Sequence, residues 1–354
     1  MPLQFRRFPP QAAVTVDAPA RLHLGFLDPN ATLGRAFGSL GLFVDGPGTR
    51  LVARRLDADD ADDAADDADD ARIDGALSGA DRARVAQWLR TLRDAFGGPR
   101  VALDVLRTVR PHTGLGSGTQ LALAVGSAYA RVAGVPATTA EIAALLGRGA
   151  RSGIGVHGFD VGGLLLDGGP SPGAAPSLAP LLSRLPFPDA WRVLLIGDTS
   201  RSGLSGADER RGLAALAPFP QRLAAHLCHL VLMRILPAAA EGDFLPFARG
   251  LSEMQQIIGE YFAPVQGGVF TSPDVEAAIR AVAAQQPAGI GQTSWGPTGF
   301  AVLASAPDAG RALAAARDAT RAMPHIECTV VAARNRGATI DAAAARGRRR
   351  EGVA

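Results

Sequence analysis

The clearest chemistry in the chain lies between Pro111 and Gln120, Pro-His-Thr-Gly-Leu-Gly-Ser-Gly-Thr-Gln, followed by the apolar, alanine-rich run from Leu121 to Tyr129. Three glycines and two hydroxyl residues ahead of a strong helix former predict a loop over 114–119 that feeds a helix N-terminus. Such a terminus presents unpaired amides and the positive end of the helix dipole, and glycine lets a phosphate approach the backbone. Gly114, Leu115, Gly116, Ser117, Gly118 and Thr119 are therefore the expected diphosphate cradle, with the Ser117 and Thr119 hydroxyls as Mg²⁺ contacts. A Walker loop is ruled out because the chain has no lysine: all 36 basic side chains are arginine. Phosphate charge must then be met by amides, guanidinium groups and metal, and Schiff-base chemistry through lysine is excluded.

The elements that must position this loop are read from periodicity. From Val14 to Asp28, Leu22, Leu24 and Phe26 alternate with Arg21, His23 and Gly25, which puts the polar set on one face of a strand. Gly34–Asp45 and Thr49–Arg54 continue a meander of strands. Residues 57–71 are almost only alanine and aspartate, an exposed insertion without chemistry. Arg82–Phe96 reads as an amphipathic helix and Val101–Arg107 as the strand entering the loop. After the loop helix come a second helix over Thr139–Leu146 with Thr139 as its cap, and a glycine-rich stretch from Arg148 to Gly163. The strand Leu164–Asp167 and a loop over Gly168–Pro180 follow. Further on, Trp191–Ile196 is a buried strand, Gln221–Leu236 and Asp274–Ala284 are helices, Gly299–Leu303 is a strand, and Arg346–Arg350 belongs to a basic tail.

Composition bounds the rest. A chain of 354 residues suits two domains, and a net charge of +2 gives no reason to expect nucleic acid. Cys228 and Cys328 are too few for a disulfide framework and lack metal-ligand spacing, which suits a reducing cytoplasm. Met1–Pro10 has no apolar core of a secretory signal, and no uninterrupted apolar run nears the roughly 18 residues that suggest a membrane span. A cytoplasmic protein without a membrane partner is expected.

Pro-x-x-x-Gly-Leu-Gly-Ser followed by small residues resembles the phosphate loop of the GHMP kinase superfamily. The N-terminal segment, this loop and the Gly291–Phe300 segment lie in the order of the three superfamily motifs. The resemblance implies an α+β, GHMP-kinase-like two-domain fold, with an N-terminal ribosomal-protein-like α/β domain over 12–188 and a C-terminal ferredoxin-like domain over 189–340. The tail then occupies 341–354, and the site is expected in the cleft between the domains. Where many kinases of the group read Ser-Gly-x-Asp and so supply a catalytic carboxylate, this chain reads Ser152-Gly153-Ile154-Gly155.

Ala20-Arg-Leu-His-Leu-Gly-Phe-Leu-Asp28, Gly34-Arg35, Gly38-Ser-Leu-Gly41, Arg151-Ser-Gly-Ile-Gly155, Asp167-Gly-Gly169 and Gln266-Gly-Gly268 are similar to a non-kinase branch, the β-ribofuranosylaminobenzene 5′-phosphate synthase family of tetrahydromethanopterin biosynthesis. The similarity runs from about Thr15 to Leu303. It implies a decarboxylating pentosyltransferase that joins phosphoribosyl pyrophosphate to 4-aminobenzoate, releasing CO₂ and pyrophosphate with Mg²⁺ as cofactor, in a possible homodimer. No hydroxyl is deprotonated in that reaction, which agrees with Gly155. Arg21, Arg35 and Arg151 become candidates for the 5′-phosphate or the benzoate carboxylate. Asp28 becomes a contact for Mg²⁺ or ribose, or else a turn aspartate ahead of Pro29. His23 could touch ribose or phosphate, or be a hydrogen-bonded structural histidine, and Trp295 could stack on the aminobenzoate ring or simply pack in the core. Asp160 is a weaker acid–base candidate. A GHMP kinase of a small alcohol and a non-catalytic binder of a phosphorylated ligand are the alternatives.

Overall fold

The computed structural model describes residues 11–56, 71–171, 177–203 and 206–343. The aspartate-rich insertion up to Asp70, the N-terminal decapeptide, the middle of the 168–180 loop and the tail beyond 343 lie outside these residues.

The first sheet starts with two long strands, β1 (Ala13–Asp28) and β2 (Phe37–Arg55), antiparallel along most of their length. The two stretches expected as separate strands, Gly34–Asp45 and Thr49–Arg54, fall largely within the single β2. Pro19 faces Gly48 while Ala20 faces Val44, so Asp45, Gly46 and Pro47 bulge out between partners without ending the strand. The sheet is completed by β3 (Ala71–Gly75), β4 (Val101–Arg107), β5 (Leu164–Asp167) and β6 (Leu181–Leu185). β4 and β5 both pair with β2, at Arg50–Arg55 and Ser39–Leu42 respectively.

Between these strands run α1 (Gly79–Phe96), α2 (Ser117–Ala133), α3 (Thr139–Leu145) and α4 (Ile154–Val161). Thr138, not Thr139, caps α3: its hydroxyl accepts the Glu141 amide, and the Glu141 carboxylate accepts the Thr138 amide in return. The glycine-rich stretch after Arg148 contains a helix that its composition conceals. A Cβ on Gly158 would fall 1.8 Å from the Phe43 ring, so glycine sits in α4 where the helix presses on β2.

The second sheet consists of β7 (Arg192–Asp198), β8 (Gly289–Gln292), β9 (Thr298–Leu303) and β10 (Ile326–Ala332), in the order β10-β7-β9-β8 with every pair antiparallel. With α9 (Pro273–Gln285) and α10 (Ala306–Ala319) on it, this is the ferredoxin-like arrangement. Between β7 and α9 come α5 (Gly206–Ala215), α6 (Gln221–Leu230), a π-helical turn at Val231–Ile235, α7 (Leu236–Glu241) and the long α8 (Phe244–Gln266).

The stretch Gln221–Glu241 is, among the described residues, the one helix long and apolar enough by length and composition to cross a membrane. Arg222, His226, His229 and Arg234 interrupt its sequence, and Leu227, Leu230, Val231 and Ile235 are buried in the core. That core is shared by the two sheets. It takes Leu22, Leu24 and Phe26 from β1, Leu40 and Leu42 from β2, Phe247 and Met254 from α8, and Trp295 and Phe300 from the second sheet's β8–β9 hairpin. Finally β11 (Thr339–Ala343) returns to the first sheet and pairs with the start of β1.

Candidate active site

The phosphate loop is fixed from below by three contacts to its carbonyls. The Arg21 amide donates to the Leu115 carbonyl (3.1 Å), Arg21 Nη1 donates to the Gly114 carbonyl (3.2 Å), and the Thr293 hydroxyl donates to that same oxygen (2.8 Å). Thr293 also accepts the His23 amide at 2.9 Å, so one side chain ties the loop to both sheets. Gly114 and Gly116 have φ of 84° and 78°, conformations that glycine alone adopts without strain. Leu115 points into the core and not into the cleft. The first amide with a partner inside α2 is Gln120, bonded to the Gly116 carbonyl at 3.1 Å. Ser117, Gly118 and Thr119 precede it and line an open cleft of about 670 Å³.

Four arginines line that cleft: Arg21, Arg84, Arg148 and Arg151. Burial lowers the Arg21 pKa to about 10, with Glu209 opposing the shift, so the group stays cationic at neutral pH. Arg148 is lowered by burial and by its neighbour Arg84, and its guanidinium lies 5.0 Å from the Trp88 ring centroid. Arg84 pairs with the buried Asp81. Arg151 makes a two-pronged pair with Glu209 at 2.6 and 2.8 Å. Glu209 is the only carboxylate among the described residues that line the cleft. Arg84 and Arg148 were not singled out from sequence, because an arginine on an amphipathic helix and one in a glycine-rich stretch carry no local sign of a ligand.

Asp28 and Arg35 stand apart from this cleft. The Asp28 carboxylate accepts the amides of Asn30 and Thr32 and the Thr32 hydroxyl, which makes it the turn aspartate of the two readings. Arg35 donates to the Gly169 carbonyl (2.8 Å) and the Ser171 hydroxyl (2.9 Å). Asp160 accepts the Thr139 hydroxyl and likewise does not line the cleft. Buried Asp167 holds the second glycine-rich segment by accepting the Ser39, Gly153 and Gly169 amides and the Ser152 hydroxyl. At Gly155, a Cβ would stand 3.1 Å from the Thr119 methyl, so the place of the kinase carboxylate adjoins the loop helix and is empty of charge.

A second, smaller cavity of about 140 Å³ adjoins the cleft, and Ser294 and Trp295 line both. Phe26, Phe262 and Phe270 wall it, with the Phe262 and Trp295 rings 4.5 Å apart. His23 faces it, 4% exposed, its ring edge-on to Phe26 at 4.5 Å. Burial first, and then the charges of Arg21 and Arg151, push the His23 pKa well below its usual 6.5. Much of the cavity wall comes from α8, an element the sequence reading did not single out.

Elsewhere, Asp198, Asp274 and His325 bring one ligand atom each within 4.8 Å of one another, a group that could hold a metal ion. His325 Nε2 lies 2.8 Å from Asp274, and the Ser200 and Ser272 hydroxyls donate to Asp198.

Residues 83–168 match the GHMP kinases N terminal domain family, and residues 235–322 match the GHMP kinases C terminal family. A β-ribofuranosylphenol 5′-phosphate synthase of Archaeoglobus fulgidus is 32% identical over 302 residues, 81% of this chain and 87% of that protein. This chain belongs to the β-ribofuranosylphenol 5′-phosphate synthase family. The member from Methanothermobacter thermautotrophicus is 31% identical over 299 residues, 81% of this chain and 88% of that one. As part of this synthase family the chain is an enzyme of the pentosyltransferase class.

Solved structures carry the same fold at low identity. Homoserine kinase from Cytophaga hutchinsonii superposes with a TM-score of 0.65 at 16% identity, covering 94% of this chain and 99% of that one. A protein designated MDDEF, solved with MVAPP, AMPPCP and magnesium, gives 0.64 at 15% identity over 94% and 99% of the two chains. The synthase family thus stands on the GHMP fold expected from the loop.

Proposed function

We propose that this chain transfers the 5-phosphoribosyl group of phosphoribosyl pyrophosphate to a ring carbon of a 4-substituted benzoate. The observation that carries the reading is the cleft: four guanidinium groups and a glycine loop surround it, and Glu209, the one carboxylate among the described lining residues, is paired with Arg151. That charge pattern suits a donor with an anionic group at each end, a 5′-phosphate and a diphosphate. Among the described residues it offers no free carboxylate to activate a substrate hydroxyl, as a kinase with a catalytic base would use. The division into domains at 188/189, with β11 returned to the first sheet, is part of the same proposal.

Arg21 and the amides of Ser117, Gly118 and Thr119 hold the departing diphosphate, and Arg84 and Arg148 hold the 5′-phosphate. The C1′–O bond breaks, and its electron pair leaves with the pyrophosphate. The ring carbon bearing the carboxylate, made electron-rich by the para substituent, forms the new C–C bond. CO₂ then departs, and its bonding pair restores the aromatic ring, so donor plus benzoate gives aryl ribose phosphate, pyrophosphate and CO₂. No net proton transfer is required.

Magnesium would fit the Ser117 and Thr119 hydroxyls of the cleft, the Glu209 carboxylate being paired with Arg151. When bound it would neutralise charge on the leaving diphosphate. Asp28, committed to its turn, is not proposed as a ligand.

The product in the relatives' name carries a phenol, whereas the sequence resemblance pointed to the amine, and either substituent donates electrons para to the reacting carbon. The test is to supply Mg²⁺, phosphoribosyl pyrophosphate and carboxyl-labelled 4-hydroxybenzoate or 4-aminobenzoate side by side. Equal release of labelled CO₂ and pyrophosphate is expected from at least one acceptor. Absence of CO₂ together with alcohol-dependent ADP formation from ATP would replace this reading with a kinase.

A further inference from the structure

The cavity beside the phosphate cleft has the size and lining of a site for one flat ring. Its volume is about 140 Å³, and an apolar cavity of roughly 150 Å³ holds a benzene molecule. Among the described residues no charged side chain lines it. Four glutamines do, yet their polar ends are engaged by other protein groups: Gln256 donates to the Glu260 carboxylate (2.7 Å). Gln255 donates to the Leu24 carbonyl (2.5 Å) and accepts the Gln292 amide (2.8 Å), Gln266 donates to the Gly268 and Val269 carbonyls (3.0 Å each), and Gln292 accepts the Thr271 amide (2.6 Å). The Ser252 hydroxyl is similarly engaged, accepting the Ile290 amide at 3.0 Å.

One lining side chain differs. His23 Nε2 is buried and has no hydrogen-bond partner, the only such atom among the described side chains of the cavity wall. A buried polar atom without a partner is destabilising, so a ligand that supplies the partner recovers that cost on binding. Position adds direction. His23 follows Arg21 by two residues on the same face of β1, a step of about 6.6 Å along a strand. Arg21 lines the anion cleft and His23 the ring cavity, so one face of β1 contributes to both.

The geometry points to this cavity as the acceptor pocket, taking an aromatic acid between Phe26, Phe262 and Trp295 with its carboxylate-bearing carbon toward Arg21 and its 4-hydroxyl or 4-amino group hydrogen-bonded to His23. The assignment rests on the synthase reading for the identity of the acid, and its test reads binding and not turnover.

Titration calorimetry of the full chain with 4-hydroxybenzoate, 4-aminobenzoate and unsubstituted benzoate should show at least one substituted ring bound about tenfold more tightly than benzoate. His23→Phe keeps a flat ring but removes the nitrogen and should bring that ratio close to one. His23→Gln, which can reach the same place with an amide, should restore most of it. Ile258→Phe fills the cavity and should weaken all three rings at least tenfold while leaving pyrophosphate affinity within twofold. A ratio untouched by His23→Phe, or rings that still bind to Ile258→Phe, would overturn the pocket assignment even if CO₂ is released in turnover. His23-dependent binding of the substituted ring with no CO₂ release would keep the pocket and overturn the synthase reading.

Discussion

His23 is held in the interior as a neutral imidazole, because burial and then the charges of Arg21 and Arg151 lower its pKa, so the second ring proton binds the unfolded chain more readily than the native one. The native pKa lies below the unfolded value, so the unfolded chain binds the extra proton and stability falls as pH drops below about 6.5. The His23 share of that loss is up to about 1.4 kcal/mol per pH unit until the native pKa is reached. Urea unfolding at pH 7 and pH 5 should show it, and His23→Gln should show a correspondingly shallower loss. Arg21 titrates at the other extreme. Its pKa of about 10 implies that kcat/KM for the phosphoribosyl donor declines as pH rises through 10, where the free enzyme loses a cation from the cleft. Arg148→Ala should raise the donor KM at least tenfold and leave the affinity for the aromatic acid within twofold, because Arg148 lines the cleft but not the ring cavity. Steady-state kinetics with each substrate varied in turn separates the two.

The phosphate loop depends on backbone conformation as much as on side chains. Gly116 has φ of 78°, and a Cβ there would stand 2.8 Å from Arg21 Cγ. Gly116→Val should therefore both strain the turn, by about 1–3 kcal/mol, and push Arg21 out of place, with pyrophosphate binding reduced at least tenfold by calorimetry. This loop was legible in the sequence because its signal is local: glycines, hydroxyls and a helix start fall within a dozen residues. The polar face of β1 was legible for the same reason, since a period of two places Arg21 and His23 side by side. What the sequence hid were features made by tertiary contact. The helix α4 lies in glycines selected for the approach of Phe43 and Thr119, and composition reads those glycines as loop. Arg84 and Arg148 reach the cleft from separate elements. Asp28, plausible as a metal contact by its place after a polar strand face, is instead consumed by the turn two residues on.

At the scale of the whole molecule, the site exists only where the two sheets are joined. The Thr293 hydroxyl bonds the phosphate loop and β1 from the β8–β9 turn, and Gln255 bonds β1 and β8 from α8. Thr293→Val preserves shape while leaving the His23 amide and the Gly114 carbonyl each short of a partner. A stability loss of about 1–3 kcal/mol in urea unfolding is expected, along with a raised donor KM, because the loop loses one of its carbonyl anchors. The return of Arg334 between the domains reinforces the junction: its amide donates to the Phe43 carbonyl (2.9 Å), and its carbonyl accepts the Gly163 amide (2.8 Å).

The pairing of β11 with β1 joins Ala13 to Ala343, and this has a consequence for how the protein is made. A ribosome emits β1 before β11, with all the other described strands and helices between them, so the outer edge of β1 stays open while they are made. An unpaired edge invites pairing with other chains, and contacts so distant in sequence form slowly. Ending the chain after Gly337 should leave the arginine cleft and its loop in place yet yield a protein that aggregates during expression. Light scattering of the purified truncation against the full chain would register that difference, and covering the newborn edge is then the task left to β11.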